Sequence, residues 1–194
     1  MLNKNKHLYF IGIGGIGMSG IAEFLLNQEF TISGSDIKDS ERVQHLKKLG
    51  CSIHLQHNKN NIKEYDLVIY SSAIKTSNPE IIAAQSMHIP IIKRAELLGQ
   101  LIKLKSTSIG VSGTHGKTTS SSMLGNILIE NQMNPSLIIG GIVNKLNNNN
   151  ISGNGSIIVV EADEFDKSFL SLQPTHAIIN NLDLEHLDSY ENIN

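Results

Sequence analysis

Residues 107–119 read Thr107-Ser108-Ile109-Gly110-Val111-Ser112-Gly113-Thr114-His115-Gly116-Lys117-Thr118-Thr119. An apolar run of strand length enters a glycine-rich turn, and the turn enters a helical segment. This is the context in which a glycine-lysine-threonine loop cradles phosphates: loop N–H groups face the oxygens, the lysine reaches the β and γ phosphates, and the next hydroxyl takes a place on Mg²⁺. Gly113, Thr114, His115, Gly116, Lys117, Thr118 and Thr119 are therefore the candidate ATP-binding residues. The general pattern asks for glycine at position 111, where Val111 stands, with Gly110 and Gly113 on either side of it.

The same strand-loop-helix order occurs once before. Residues 7–13 predict a strand and residues 14–27 a helix with Ile16, Ile21, Phe24 and Leu25 on one side. Between them Gly12-Ile13-Gly14-Gly15-Ile16-Gly17 matches G-x-G-x-x-G. Glycines at these positions permit a tight turn and let backbone approach a diphosphate at a helix N-terminus. Asp36 closes the second predicted strand, where such folds carry a ribose-binding acid. A turn that only packs helix on strand has the same composition, and the loop alone does not choose between NAD and a UDP-sugar.

Around the two loops, strands at 30–33, 51–55, 66–71 and 89–92 alternate with helices at 40–49, 78–87 and 95–104. Ser40 is placed as an N-cap and Pro79 in a first helical turn. The alternation restarts at residue 107, with a helix at 116–131 and strands at 136–139, 156–161 and 176–180. The expected fold is α/β with parallel sheets: a Rossmann-like domain over 1–105, then the first part of a P-loop ATPase-type domain over 106–194. The asparagine-rich residues 147–150, followed by Gly153 and Gly155, are expected as a loop.

Composition narrows the class. The chain has 194 residues, 40% hydrophobic, with a formal charge of −2 and one cysteine, Cys51. That charge offers no general attraction to nucleic acid or anionic membranes. One cysteine excludes an internal disulfide and fits a reducing compartment. The N-terminal residues resemble neither a signal peptide nor a spanning segment, so the expected location is cytoplasmic. The polar final stretch, 188–194, shows no closing element, and the chain is expected to be the front part of something longer, with an apolar sheet edge left uncovered.

Acids stand at the C-terminal end of the strand at 156–161: Glu161, then Asp163 and Glu164. A carboxylate at that sheet edge suits Mg²⁺, which prefers hard oxygen ligands. A solvated acidic loop is the plainer alternative. His186, in Asn180-Asn181-Leu182-Asp183-Leu184-Glu185-His186-Leu187-Asp188, reads as a second metal ligand or as an ordinary surface histidine.

Taken in order, Gly12 to Gly17, Ser71-Ser72-Ala73-Ile74 with Asn78-Pro79-Glu80, Arg94-Ala95-Glu96, Gly113 to Thr119, Ile139-Gly140-Gly141-Ile142-Val143-Asn144, Glu161-Ala162-Asp163-Glu164 and Asn181 to Asp188 resemble the Mur ligase family. The resemblance runs over nearly the whole chain. It implies three domains, of which the chain would hold the first and about half of the second, and a fragment inactive by itself. It also implies ATP-dependent joining of L-alanine to the carboxylate of UDP-N-acetylmuramate through an acyl phosphate, in peptidoglycan precursor synthesis. On this reading Gly14, Gly15, Ile16, Gly17, Asp36 and Ser72 meet the UDP-sugar. Lys117 and His186 are catalytic, and Thr118, Glu161 and His186 hold Mg²⁺. A sister ligase that attaches a recycled tripeptide, a non-catalytic UDP-sugar-binding module and an NAD-dependent oxidoreductase are the alternatives. The last leaves the second glycine loop unexplained.

Overall fold

The computed structural model describes residues 6–143, 148–162 and 168–183. Contacts group the chain into two units, Met1–Leu97 and Leu98–Asn194, with the division inside a helix at Arg94–Leu101.

In the first unit, strands β1 (His7–Ile11), β2 (Thr31–Ser35), β3 (Ser52–His54), β4 (Leu67–Tyr70) and β5 (Ile91–Lys93) form a sheet of order β3-β2-β1-β4-β5. Every pairing is parallel. Helices α1 (Ile16–Leu26), α2 (Glu41–Lys48), α3 (Pro79–Ser86) and α4 (Arg94–Leu101) accompany it. The order reverses at β1, so the turn after β1 lies at the crevice where open α/β sheets take ligands. Strand β1 is buried from Leu8 to Ile11, as a strand covered on both faces must be. Ile21, Phe24 and Leu25 line the buried side of α1, each contributing roughly 1.5–3 kcal/mol by leaving water. Ile16 departs from the expected face: as the first helical residue, at the loop end of α1, it stays 42% exposed.

Helix starts follow the local chemistry. The Ser40 hydroxyl accepts from Val43 N at 3.4 Å, capping α2. Asn78 accepts from Glu80 N at 2.8 Å, with Pro79 as the next residue, and together they fix where α3 begins.

In the second unit, β6 (Thr107–Ser112), β7 (Ser136–Val143), β8 (Asn148–Ile151), β9 (Ile157–Glu161) and β10 (His176–Ile179) form a sheet of order β10-β6-β9-β7-β8, with helix α5 (Lys117–Glu130). Two expectations are corrected here. The strand foreseen at 136–139 runs on to Val143, and the residues foreseen as a loop supply β8, antiparallel to β7 with Ile138 opposite Asn150. The second sheet is therefore mixed. Asparagine disfavours strands, but the unpaired edge of a long β7 offers a hydrogen-bonding partner that outweighs local preference. Lys105 tethers the following loop, donating to the carbonyls of Gly153 and Gly155 at 2.9 and 2.7 Å. At the other edge, β10 is exposed along its length, Ile179 by 62%.

Cys51 precedes β3 and is buried, and burial pushes its thiol up to about 11. Its folded pKa lies above the ordinary value near 9, so its contribution to stability is complete below pH 9 and is lost as pH rises towards 11. Thiol labelling of the native protein is expected to be slow at pH 8, where unfolded chain reacts readily. Equal rates for native and unfolded protein at pH 8 would contradict this burial.

Candidate functional site

The first glycine loop hangs from the end of β2. The carbonyl of Ser35 accepts from Gly12 N at 2.8 Å and from Ile13 N at 3.0 Å. The Asp36 carboxylate continues the series, accepting from Gly14 N at 2.8 Å and from Lys38 N at 3.0 Å. Gly12 has φ +79, a conformation that favours glycine. Gly14 is needed for space: a Cβ there would meet Val43 at 2.8 Å and the Asp36 carboxylate at 2.9 Å. Gly15, at the N-cap of α1, and Ile16 are exposed. No side chain caps this helix, and its first turn holds no acid, which leaves the helix dipole uncompensated by its own sequence.

Ser72 lies exposed in the turn after β4, beside Ser71, whose Cβ comes within 3.5 Å of the position a Gly12 Cβ would take. Asp36 and Ser72 thus both flank the loop. Arg94 is a further neighbour: a Cβ on Gly17 would meet its Nη1 at 3.1 Å, so a guanidinium stands over the first turn of α1. Its signal was the Arg94-Ala95-Glu96 segment, which the sequence could not connect to Gly17.

The second loop follows β6. Gly113 has φ +137, and Gly116, at the N-cap of α5, has φ +78. Both also face Asn180: a Cβ on Gly113 would lie 3.0 Å from Asn180 Cβ, and one on Gly116 would lie 3.2 Å from its amide nitrogen. Lys117 folds back over the loop, its Nζ donating to the carbonyls of Gly113 at 2.7 Å and Thr114 at 3.3 Å. Thr119 is exposed on α5. The Thr118 hydroxyl reaches both oxygens of Glu161, at 3.0 and 3.1 Å, and Gly140 N donates to the same carboxylate at 2.8 Å. Parallel pairing of β6 with β9 sets Val111 opposite Glu161 and so brings the acid to the loop.

A hydroxyl and a carboxylate in contact are the oxygen donors a hard divalent cation takes. Mg²⁺ is held by one or two carboxylates plus substrate phosphates, without a dense protein cage. No group of three or more His, Cys, Asp or Glu gathers among the described residues. His186, Asp163 and Glu164 lie outside the described residues.

The asparagine pair after β10 is the larger omission from the sequence reading. Asn181 accepts from His115 N through its side chain at 2.8 Å and from Thr114 N through its carbonyl at 3.3 Å. Asn180 accepts from the Ser120 hydroxyl at 3.1 Å and donates to the His115 carbonyl at 3.2 Å. Asp183 N donates to the Thr114 hydroxyl at 2.9 Å. The loop is clamped from a strand more than sixty residues away, about which spacing says nothing. Amide exchange measured by NMR should show the His115 N–H well protected, and Asn181→Ala should speed its exchange by about tenfold through loss of one hydrogen bond. An unchanged rate would mean that this bond does not form.

Comparison with known proteins gives two family matches along the chain. The family described as "Mur ligase family, catalytic domain" matches residues 7–106, and "Mur ligase middle domain" matches 111–194. The UDP-N-acetylmuramate–L-alanine ligase of Syntrophus aciditrophicus is 46% identical over 193 residues, all of this chain and 40% of that protein. The enzyme of the same name from Aquifex aeolicus is 50% identical over 187 residues, 96% of this chain and 41% of that protein. Among solved structures, UDP-N-acetylmuramate-alanine ligase from Thermotoga maritima superposes with a TM-score of 0.88 at 35% identity, covering 97% of this chain and 44% of that one. The UDP-N-acetylmuramate:L-alanyl-gamma-D-glutamyl-meso-diaminopimelate ligase from Neisseria meningitides gives 0.87 at 27% identity, over 97% of this chain and 64% of that one. The chain spans about 40% of the length of the curated relatives it matches. With the two glycine loops, the acid at the end of β9 and both domain matches in the same order along the sequence, the chain belongs to the Mur ligase family.

Proposed function

We propose that the protein takes part in ATP-dependent joining of L-alanine to the lactyl carboxylate of UDP-N-acetylmuramate, a step of peptidoglycan precursor synthesis in the cytoplasm. Residues 1–105 serve as the UDP-sugar domain and 106–194 as the first part of the ATP domain. The observation that carries this reading is the second loop: Lys117 lies across Gly113 and Thr114, and the Thr118 hydroxyl rests on Glu161. A dehydrogenase has no use for that arrangement.

The chemistry has two steps. A carboxylate oxygen of the substrate attacks the γ-phosphorus of ATP, and ADP leaves. The amine nitrogen of L-alanine then attacks the carbonyl carbon of the acyl phosphate. The tetrahedral adduct loses a proton from nitrogen and expels phosphate, leaving an amide. Catalysis of such transfers is mainly positioning and charge neutralisation.

Each residue then has a part. Gly113, Thr114, His115, Gly116, Lys117, Thr118 and Thr119 wrap the phosphates, with the N–H groups of Thr114 and His115 kept on Asn181 to hold the loop's shape. The Lys117 ammonium leaves its loop carbonyls for the β and γ oxygens, where it offsets charge as the phosphoryl group transfers. Thr118 and Glu161 would hold Mg²⁺, with Gly140 N fixing the carboxylate, and His186 would hold a second ion. The bound cation supplies charge neutralisation on the phosphate oxygens. In the first unit, Gly14, Gly15, Ile16 and Gly17 receive the diphosphate at the start of α1, with Arg94 beside them as a counter-charge. Ser72 flanks the loop. Asp36 acts through the loop, since its oxygens already hold Gly14 N and Lys38 N.

The tripeptide-adding sister ligase is the second reading, because the Neisseria structure fits about as well as the Thermotoga one. The L-alanine assignment is favoured by curated relatives at 46–50% identity that carry that name.

In the intact enzyme, Lys117→Ala is expected to lower ligation by at least about a hundredfold, the size of loss typical when one transition-state charge contact is removed. UDP-N-acetylmuramate binding should persist. Unchanged phosphate release in that variant would remove the second loop from the chemistry, and the ligase reading with it.

A further inference from the structure

The proposed reaction makes no use of the most completely buried carboxylate among the described residues. Glu80, in the first turn of α3, has no exposure to solvent. Five donors converge on it. Tyr9 Oη and Asn61 Nδ2 lie at 2.8 and 2.7 Å from Oε1, with Asn58 N at 3.4 Å. Ser35 Oγ and His57 Nδ1 lie at 2.6 and 2.9 Å from Oε2. A carboxylate only accepts, so a ring of donors is the surrounding that lets it stay buried. Burial, and then the charge of Glu80, push the Tyr9 hydroxyl up, which keeps it protonated and donating.

The trio of Ser35, His57 and Glu80 has the composition of a nucleophile triad but not its geometry. One nitrogen, His57 Nδ1, faces both the serine at 3.0 Å and the carboxylate at 2.9 Å. Ser35 donates directly to Glu80, and it is fully buried where no substrate arrives. Its position along the chain matters more. The Ser35 carbonyl carries the N–H groups of Gly12 and Ile13, and its neighbour Asp36 carries that of Gly14.

We propose that Glu80 is a positioning residue for the UDP-sugar loop: by holding the Ser35 side chain, it fixes the end of β2 from which three successive loop N–H groups hang. The assignment rests on the reading of that loop as a UDP-sugar site. Asn78 and Pro79 set the start of α3 and hence the height of the carboxylate against β1 and β2.

Two single-hydrogen-bond deletions separate positioning from plain stability. Ser35→Ala and Tyr9→Phe each remove one donor from Glu80 and leave the other four. Both residues lie in strands next to the loop, but only Ser35 accepts loop N–H groups on its own carbonyl. The intact protein and both variants are titrated calorimetrically with UDP-N-acetylmuramate and, separately, with Mg-ATP, and their melting is followed. Both variants should melt lower. Ser35→Ala should weaken UDP-sugar binding about tenfold, the scale of one charge-assisted hydrogen bond, while Tyr9→Phe stays within about twofold. Mg-ATP affinity should be unchanged in both. Equal shifts in the two variants, or none in Ser35→Ala, would overturn the proposal. Failure of the unmodified protein to bind the UDP-sugar would instead remove the reading beneath it, and the proposal with that reading.

Discussion

Parallel strand pairing is the constraint on which both candidate sites depend. When strands run the same way, their carboxyl ends come out at one edge, and whatever follows each strand gathers there. Pairing of Ile11 with Ser35 and with Tyr70 brings Gly12, Asp36 and the turn of Ser71 and Ser72 together. Pairing of Val111 with Glu161 and of Ser112 with Ile179 does the same for Gly113, Glu161 and Asn180. Neither site is assembled by its own loop alone. Each loop is a short backbone segment whose shape is fixed by the ends of the neighbouring strands.

The two loops are fixed by different chemistry. The first is held from β2, through one carbonyl and one carboxylate, with Glu80 behind them. The second is held by a pair of asparagines after β10, whose amides both donate and accept. Under the proposed role in phosphate binding, neutral amides would add no negative charge of their own beside the phosphates. Glu161 meets the loop at the Thr118 hydroxyl, where the proposed cation would need a carboxylate.

The glycine loops were legible because their signal is local: glycines at turn positions, a strand before and a helix after. So were the Ser40 and Asn78–Pro79 helix starts, where the chemistry lies within three residues. Elements that depend on distant partners were not legible. Residues 148–151 form a strand only because β7 offers an edge, and nothing in a run of asparagines announces it. Glu80 and Arg94 were visible as members of a familiar motif, yet their work against Ser35 and Gly17 depends on contacts 45 and 77 positions away in the numbering. Ile16 shows the converse failure: helical periodicity assigned it to the buried side, but as the first helical residue, beside the loop, it stays exposed.

The most direct test of the proposal that each glycine loop is a nucleotide site is the stoichiometry of ligand binding. Isothermal titration with UDP-N-acetylmuramate and with Mg-ATP, each alone and each after saturation with the other, should give one site for each and no displacement of one by the other. NADH should give no saturable heat. Saturable NADH binding with no response to the UDP-sugar, or displacement of one nucleotide by the other, would contradict the assignment of the two loops.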